Sequence, residues 1–354
     1  MVINQWVPAA HRGDAVGDNA RVLRDTLRGL GHASAVYAIE IDEDMRGEAQ
    51  PYTDPAAAAG DVTILHYATP SPMTEAFGAL RGRRVLQYHN ITPAYFFAAY
   101  DPAMFGLSSR GRRELASLAG RTDLALGVSE YNRRELEELG FRDTGVLPLA
   151  MNLERLTQAP RLPALERTLD DEFTNFLFVG RISPNKKIED LVRLAEHYKR
   201  YVDAYYRFIF VGRTDVVPRY YATIREFISR LGWLQDRFVF TGAVTDRELA
   251  AYYRSASVYI SMSEHEGFCA PLVEAMAMDV PVLAYSCTAV PDTLGGAGVQ
   301  FAPKHFELAA ELLYDLAYDD QVRAAVLDGQ RRRLTHILGR RVDEGLRQLV
   351  DRFQ

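Results

Sequence analysis

Short apolar runs recur along the chain, separated by longer stretches in which apolar residues return three and four positions apart. The runs at residues 2–7, 35–39, 62–65, 85–88, 124–128 and 145–149 read as strands buried on both faces. The stretch 19–30, with its three-and-four spacing, reads as an amphipathic helix. Strand–helix alternation of this kind predicts parallel sheets covered by helices.

The rhythm breaks between residues 148 and 171, which hold Pro148, Pro160 and Pro163 and no strong strand, as a linker between domains would. A second series follows. Its strands are predicted at 176–179, 208–211, 238–240, 258–260 and 280–284, and its helices at 188–200, 220–231, 246–255, 271–278 and 306–315. The expected fold is α/β, with two doubly wound, Rossmann-like domains facing each other across a cleft. The first covers residues 1–160 and the second 171–339, and an amphipathic helix at 340–353 joins residues 340–354 to the first. Ligands of such folds sit beyond the carboxyl ends of the strands.

Composition narrows the class. A length of 354 residues suits two domains, and 48% hydrophobic with 25% charged residues is the balance of a chain that buries its own cores. A net charge of -6 argues against a nucleic-acid partner, which would need a basic face. Cys269 and Cys287 are the two cysteines, too few for a disulfide framework, so a reducing compartment is expected. The N-terminus enters Val2-Ile3-Asn4-Gln5-Trp6-Val7 without a basic flank, and no apolar run approaches the ~20 residues of a membrane helix. The expected location is cytoplasmic. Basic clusters at Arg81-Gly82-Arg83-Arg84, Arg110-Gly111-Arg112-Arg113 and Arg133-Arg134 offer a peripheral contact with an anionic inner membrane face, but solvated helix ends are the simpler account.

The strongest chemical signal is Ser263-Glu264-His265-Glu266-Gly267-Phe268-Cys269-Ala270-Pro271-Leu272-Val273-Glu274-Ala275, a strand exit running into a helix. Pro271 suits a first helical turn, and the amides of Leu272 and Val273 would then be free to hold a phosphate. Carboxylates only accept hydrogen bonds, so Glu266 and Glu274 suit the hydroxyls of a polyol and a ribose. Two surface glutamates on a plain strand–loop–helix are the bland alternative. A second signal is Phe178-Val179-Gly180-Arg181-Ile182-Ser183-Pro184-Asn185-Lys186-Lys187, where Gly180 ends a strand and two cations follow five residues apart. Arg181 can fork onto phosphate oxygens and Lys186 acts as a point charge, while Lys187 is expected to be solvated.

With seven residues between them, Glu266 and Glu274 resemble the paired glutamates of glycosyltransferase family 4, whose fold is GT-B, and the resemblance covers nearly the whole chain. It implies that Glu266 binds hydroxyls of a donor hexose, that Glu274 binds the ribose, and that Gly180, Gly267, Phe268, Leu272 and Val273 line the donor. Arg181 and Lys186 would hold the diphosphate without a metal. It implies a retaining, front-face transfer in which the departing phosphate oxygen takes the acceptor's proton. Charge growing on the leaving diphosphate would meet fixed cations there.

In the first domain, Arg12-Gly13-Asp14-Ala15-Val16-Gly17-Asp18-Asn19 follows the first strand, with Gly13 and Gly17 as close-approach positions and Asp18 as the expected N-cap. The family carries adjacent glycines in this loop, which are separated here. Gln87-Tyr88-His89-Asn90 ends a strand, and His89 matches the family histidine that contacts the transferred sugar. Phe240-Thr241-Gly242-Ala243-Val244 matches the loop beneath the nucleotide base, with Val244 in contact. Ser129 reads as a helix cap, Arg213 as a solvated turn, and Cys269 as a small spacer.

The function expected is a retaining hexosyltransferase in glycoconjugate biosynthesis. Its donor would be a UDP- or GDP-linked sugar, and its acceptor a glycan, a lipid-linked sugar or a small molecule. A nucleotide-sugar 2-epimerase of the same fold, a dehydrogenase and a non-catalytic sugar-nucleotide binder are the alternatives. The dehydrogenase fits worst, because Val7-Pro8-Ala9-Ala10 stands where a glycine-rich turn would be needed.

Overall fold

A computed structural model describes the chain except Arg12, Arg340 and Arg341, and the backbone alone at Trp233 and Leu234. The chain divides into two units. Unit 1 comprises Met1–Tyr95, Pro102–Met151 and Gly339–Gln354, and unit 2 comprises Phe96–Asp101 and Asn152–Leu338.

Unit 1 is built on a seven-stranded sheet: β1 (Ile3–Ala10), β2 (Val36–Ile41), β3 (Gln50–Pro51), β4 (Val62–Tyr67), β5 (Arg83–Tyr88), β6 (Leu124–Gly127) and β7 (Thr144–Val146), in the order β3-β2-β1-β4-β5-β6-β7. Every pairing is parallel. The strand order reverses between β1 and β4, which is where such sheets open a crevice for ligands. One face is covered by the helix Ala15–Gly29, whose buried Ala20, Leu23 and Leu27 fall at helical spacing, and by the helix Val342–Phe353 through Leu346, Leu349 and Val350. Leu23, Leu27, Leu346, Leu349 and Val350 pack with Ile3, Ile64 and Val85 of the sheet, and Ala20 with Val7 and Val36.

Unit 2 repeats the plan with β8 (Thr174–Val179), β9 (Tyr206–Val211), β10 (Phe238–Gly242), β11 (Val258–Ser261), β12 (Val282–Tyr285) and β13 (Val299–Phe301), in the order β10-β9-β8-β11-β12-β13, again all parallel. Its reversal lies between β8 and β11. Phe176, Tyr206, Phe208 and Phe210 stack along β8 and β9, and this aromatic run explains the strong strand signal.

Differences from the sequence reading have local causes. The strand expected at 145–149 ends at Val146, because Pro148 has no N–H for a ladder. The one expected at 280–284 starts at Val282, after Pro281, for the same reason. The linker interval carries two short helices, Glu154–Thr157 and Pro163–Leu169, and belongs to unit 2 from Asn152 onward. Two of the longest helices carry no strong apolar period in the sequence. Pro102–Ser117 buries only Ser108, Gly111 and Leu115, and Asp320–Gly339 only Gln330, so neither shows an apolar stripe. The C-terminal helix starts at Val342, and Arg340 lies outside the described residues.

Candidate active site

The loops that leave β8 and β11 flank the reversal of the unit 2 sheet, and they carry the two motifs singled out above. Their residues meet. The Lys186 ammonium donates to both carboxylate oxygens of Glu266, at 2.6 and 2.7 Å, and Glu266 is only 6% exposed. Asn185, a motif residue to which the sequence assigned no role, ties the two loops together. Its Nδ2 donates to the His265 carbonyl at 3.0 Å, its carbonyl accepts from the Glu264 N–H at 2.8 Å, and its Oδ1 accepts from the Ser183 hydroxyl at 2.7 Å. The Glu266 N–H donates to Thr288 Oγ1 at 2.9 Å. Lys187 is not solvated as expected. It is half-buried and pairs with Glu264 at 3.3 Å and with Glu189 at 3.6 Å, while Lys304 bridges Glu264 and Asp190 at 2.9 and 2.7 Å.

Arg181 is exposed and forms no ion pair among the described residues. Its position follows from the backbone. Gly180 N–H bonds to the Val211 carbonyl, Ile182 N–H to the Arg213 carbonyl and Gly212 N–H to the Gly242 carbonyl, at 2.9, 2.9 and 3.0 Å. Gly212 has φ +142°, and a Cβ there would stand 2.2 Å from the Gly180 carbonyl oxygen, so only glycine lets the ends of β8, β9 and β10 close up. A Cβ on Gly180 would meet Lys186 Cε at 3.9 Å, which brings this glycine beside the ammonium stem. Arg213 turns back onto Asp215 at 3.0 Å. Val244, half-buried, precedes Thr245, whose reciprocal bonds with Glu248 cap the next helix.

Glu274 lies in the helix Ala270–Ala277 and is 5% exposed. Burial raises its pKa, and Arg155 and Tyr253 oppose the rise. One carboxylate oxygen accepts from the Tyr253 hydroxyl at 2.9 Å and the other from Arg155, which also pairs with Asp246. Arg155 comes from the interval read as linker, and nothing in the local sequence links it to a glutamate 119 positions away. The helix start corrects one expectation. Pro271 sits in the first turn, but the Leu272 N–H is not free, since it donates to the Cys269 carbonyl at 3.0 Å. Leu272 and Val273 are fully buried, and their side chains belong to the core. Cys269 caps the helix at φ +64°, and burial holds its thiol well above the usual range, as suits a spacer. Gly267 is half-exposed and Phe268 buried between these points.

In unit 1 the loop after β1 differs from its reading. Asp14, not Asp18, is the N-cap, accepting from the Gly17 N–H at 3.1 Å, so Gly17 is a helical residue whose amide is occupied. Asp18 pairs with Arg21. Gly13 stays in the loop at φ +75°, and Arg12 lies outside the described residues. Ser129 caps its helix as expected, accepting from Asn132 N–H at 3.2 Å. His89 follows β5, with Asn90 beside it in a left-handed turn at φ +81°, donating to Asn132 Oδ1 at 2.8 Å. The His89 ring stands 3.0 Å from His66 on β4, a residue that belongs to none of the sequence motifs. Shielding of the ring lowers the His89 pKa to about 3.

The basic clusters are largely neutralised. Arg112 pairs with Glu135 at 2.6 Å, Arg84 with Asp123 at 3.6 Å, and Arg133 with Glu130 and Glu137. Among the described residues no helix is long and apolar enough to cross a membrane.

Two parallel-sheet, Rossmann-like units define a fold shared with solved glycosyltransferases of the GT-B type. HepE of Anabaena, solved with UDP and glucose, superposes with a TM-score of 0.76 over 99% of both chains at 16% identity. WaaG, a glycosyltransferase involved in lipopolysaccharide biosynthesis, gives 0.68 over 94% of this chain and 95% of its own at 13% identity. Within the chain, residues 174–319, which hold both unit 2 motifs, match the family described as glycosyl transferases group 1. A GDP-mannose-dependent alpha-mannosyltransferase of Mycolicibacterium smegmatis is 36% identical over 239 residues, 63% of this chain and 56% of the relative. The O-antigen chain mannosyltransferase B of Escherichia coli is 26% identical over 212 residues, 58% of this chain and 55% of the relative. The chain thus spans about half the length of these curated relatives.

Proposed function

We propose that the protein is a retaining glycosyltransferase that moves a hexosyl group from a nucleotide-diphosphate sugar to an acceptor hydroxyl without a metal. Glu266 takes hydroxyls of the hexose, Glu274 the ribose, and Arg181 and Lys186 the diphosphate. In the step itself, the bond from the anomeric carbon to the β-phosphate oxygen breaks and a bond to the acceptor oxygen forms on the same face. The acceptor's proton passes to the departing phosphate oxygen. Fixed cations favour this charge more in the transition state than in the ground state.

The observation that carries the reading is the convergence of Lys186 and Glu266, from loops 80 residues apart, at the strand-order reversal of unit 2. Substrate phosphate replacing Glu266 at the ammonium, and a sugar hydroxyl replacing the ammonium at Glu266, would each find a partner already oriented. The mannosyl relatives make GDP-mannose the donor to test first, and the HepE complex with UDP-glucose makes that sugar nucleotide the second. Nucleotide release should accompany transfer to a glycan or lipid-linked acceptor, and Arg181→Ala should lower kcat by about a hundredfold, the scale of one lost transition-state donor. Transfer at the wild-type rate by that variant, or epimerised sugar from donor alone, would overturn the proposal.

A further inference from the structure

The buried polar row in unit 1 has a direction. Gln5, His66 and Gln87 fall on one face of the sheet, the face that also carries Ile3, Ile64 and Val85 under the helix Ala15–Gly29, and His89 follows directly after β5. The direction is set by two backbone groups. The Leu147 carbonyl accepts from Gln87 Nε2 at 3.0 Å, so Gln87 turns its Oε1 toward Asn19 Nδ2, at 2.8 Å. The Ala150 N–H donates to Asn19 Oδ1 at 2.8 Å, which fixes the Asn19 amide the same way round. Asn19 Nδ2 therefore presents an N–H to His66 Nδ1, at 3.4 Å. His66 Nδ1 is then an acceptor, and the His66 proton sits on Nε2, donating to Gln5 Oε1 at 2.8 Å. The remaining neighbour of His66 Nδ1 is His89 Nε2, at 3.0 Å, and it must be the donor.

We infer that His66 is a positioning residue that locks His89 in the Nε2–H tautomer, so that His89 Nδ1 meets a substrate hydroxyl as a lone-pair acceptor. His89, at the carboxyl end of β5 and partly exposed, is the only member of this row open to a ligand among those named. The opposite arrangement, with Gln5 turned over and both imidazole protons on Nδ1, would set the Asn19 and His66 N–H groups against each other. Lowered pKa values at both rings keep the pair neutral, as the relay requires. The substrate half rests on the transferase reading above, whereas the tautomer does not.

Long-range proton–nitrogen NMR on the full chain labelled with 15N-histidine reads the tautomer directly, with His89→Asn assigning the signals. The expected spectrum has His89 Nδ1 unprotonated and Nε2 protonated. His66→Leu removes the acceptor and should shift His89 toward the Nδ1–H form, with transfer reduced roughly tenfold, the weight of one hydrogen bond turned repulsive. His66→Asn, whose Oδ1 replaces Nδ1, should restore the tautomer and recover much of that loss. A wild-type His89 protonated on Nδ1 would overturn the inference, whatever the fate of the variants. The assigned tautomer combined with undiminished transfer by His89→Ala would uphold the relay and overturn the substrate contact of His89.

Discussion

Replacing Lys186 by methionine removes a charge and keeps the length of the stem. Glu266 would be left as a carboxylate whose side chain is 7% exposed, and it would lose two bonds of 2.6 and 2.7 Å. Breaking a buried pair from one side costs about 3–5 kcal/mol, because the surviving charge is neither solvated nor paired. For a unit of this size that is a fall in Tm of roughly 10 °C. Glu266→Gln alone should cost less, about 1–2 kcal/mol, since the Lys186 side chain keeps 17% exposure and its ammonium can reach water. The double variant Lys186→Met/Glu266→Gln holds no stranded charge and should be more stable than Lys186→Met, a coupling of about 2–3 kcal/mol. Urea and thermal unfolding of the four proteins close the cycle. Nucleotide release with GDP-mannose and UDP-glucose provides the second readout, and all three variants should be deficient there. Single-variant costs that add to within about 0.5 kcal/mol would refute the buried-pair argument. A double variant that is both stable and fully active would refute the role of the pair in transfer.

Gly212→Ala should destabilise unit 2 by about 3 kcal/mol or more, since its Cβ overlaps backbone 2.2 Å away, whereas Gly13→Ala meets nothing within 4 Å and should cost about 1 kcal/mol through φ alone. Equal shifts in Tm would contradict the close approach at the strand ends. Arg155→Met should lower stability by several kcal/mol, because among the described residues Glu274 then keeps the Tyr253 hydroxyl alone as a hydrogen-bond partner. An unchanged unfolding midpoint would show that Arg155 is not what balances the buried carboxylate. Stability should also fall as pH drops from 7 to 4.5. His66 and His89 have depressed folded-state pKa values, so the unfolded chain binds more protons below about pH 6.5, and stability rises with pH across that window. Each ring contributes at most about 1.4 kcal/mol per pH unit, its Gln5, Asn19 and Gln87 neighbours are neutral, and His66→Asn should remove one ring's share of the slope. A slope identical to wild type in that variant would count against neutral burial.

Much of the fold was legible because parallel strands buried on both faces write themselves as apolar runs. The runs at 176–179 and 208–211 became the cores of Thr174–Val179 and Tyr206–Val211. The short edge strands Gln50–Pro51 and Val299–Phe301 carry too few residues to show a period, and the helix Asp320–Gly339 too little burial to show a stripe. The N-cap was misplaced because Asp14 and Asp18 are both good cap residues. Only the path of the chain leaving β1 selects the first.

The candidate site divides along the same line. The sequence by itself singled out Arg181, Lys186 and Glu266 in loops after strands that periodicity locates, and Glu274 in the helix that follows, as the side chains proposed to meet a diphosphate and a sugar. What only the tertiary structure decided is which of them touch. Lys186 meets Glu266, Glu274 meets Arg155, and His89 meets His66, because sheet order sets strand neighbours and strand order is not written in spacing. A buried row such as Gln5, His66 and Gln87 leaves a trace in sequence as polar residues inside apolar runs. Its partners, and the direction in which its protons point, come from helix and sheet brought together across long stretches of chain.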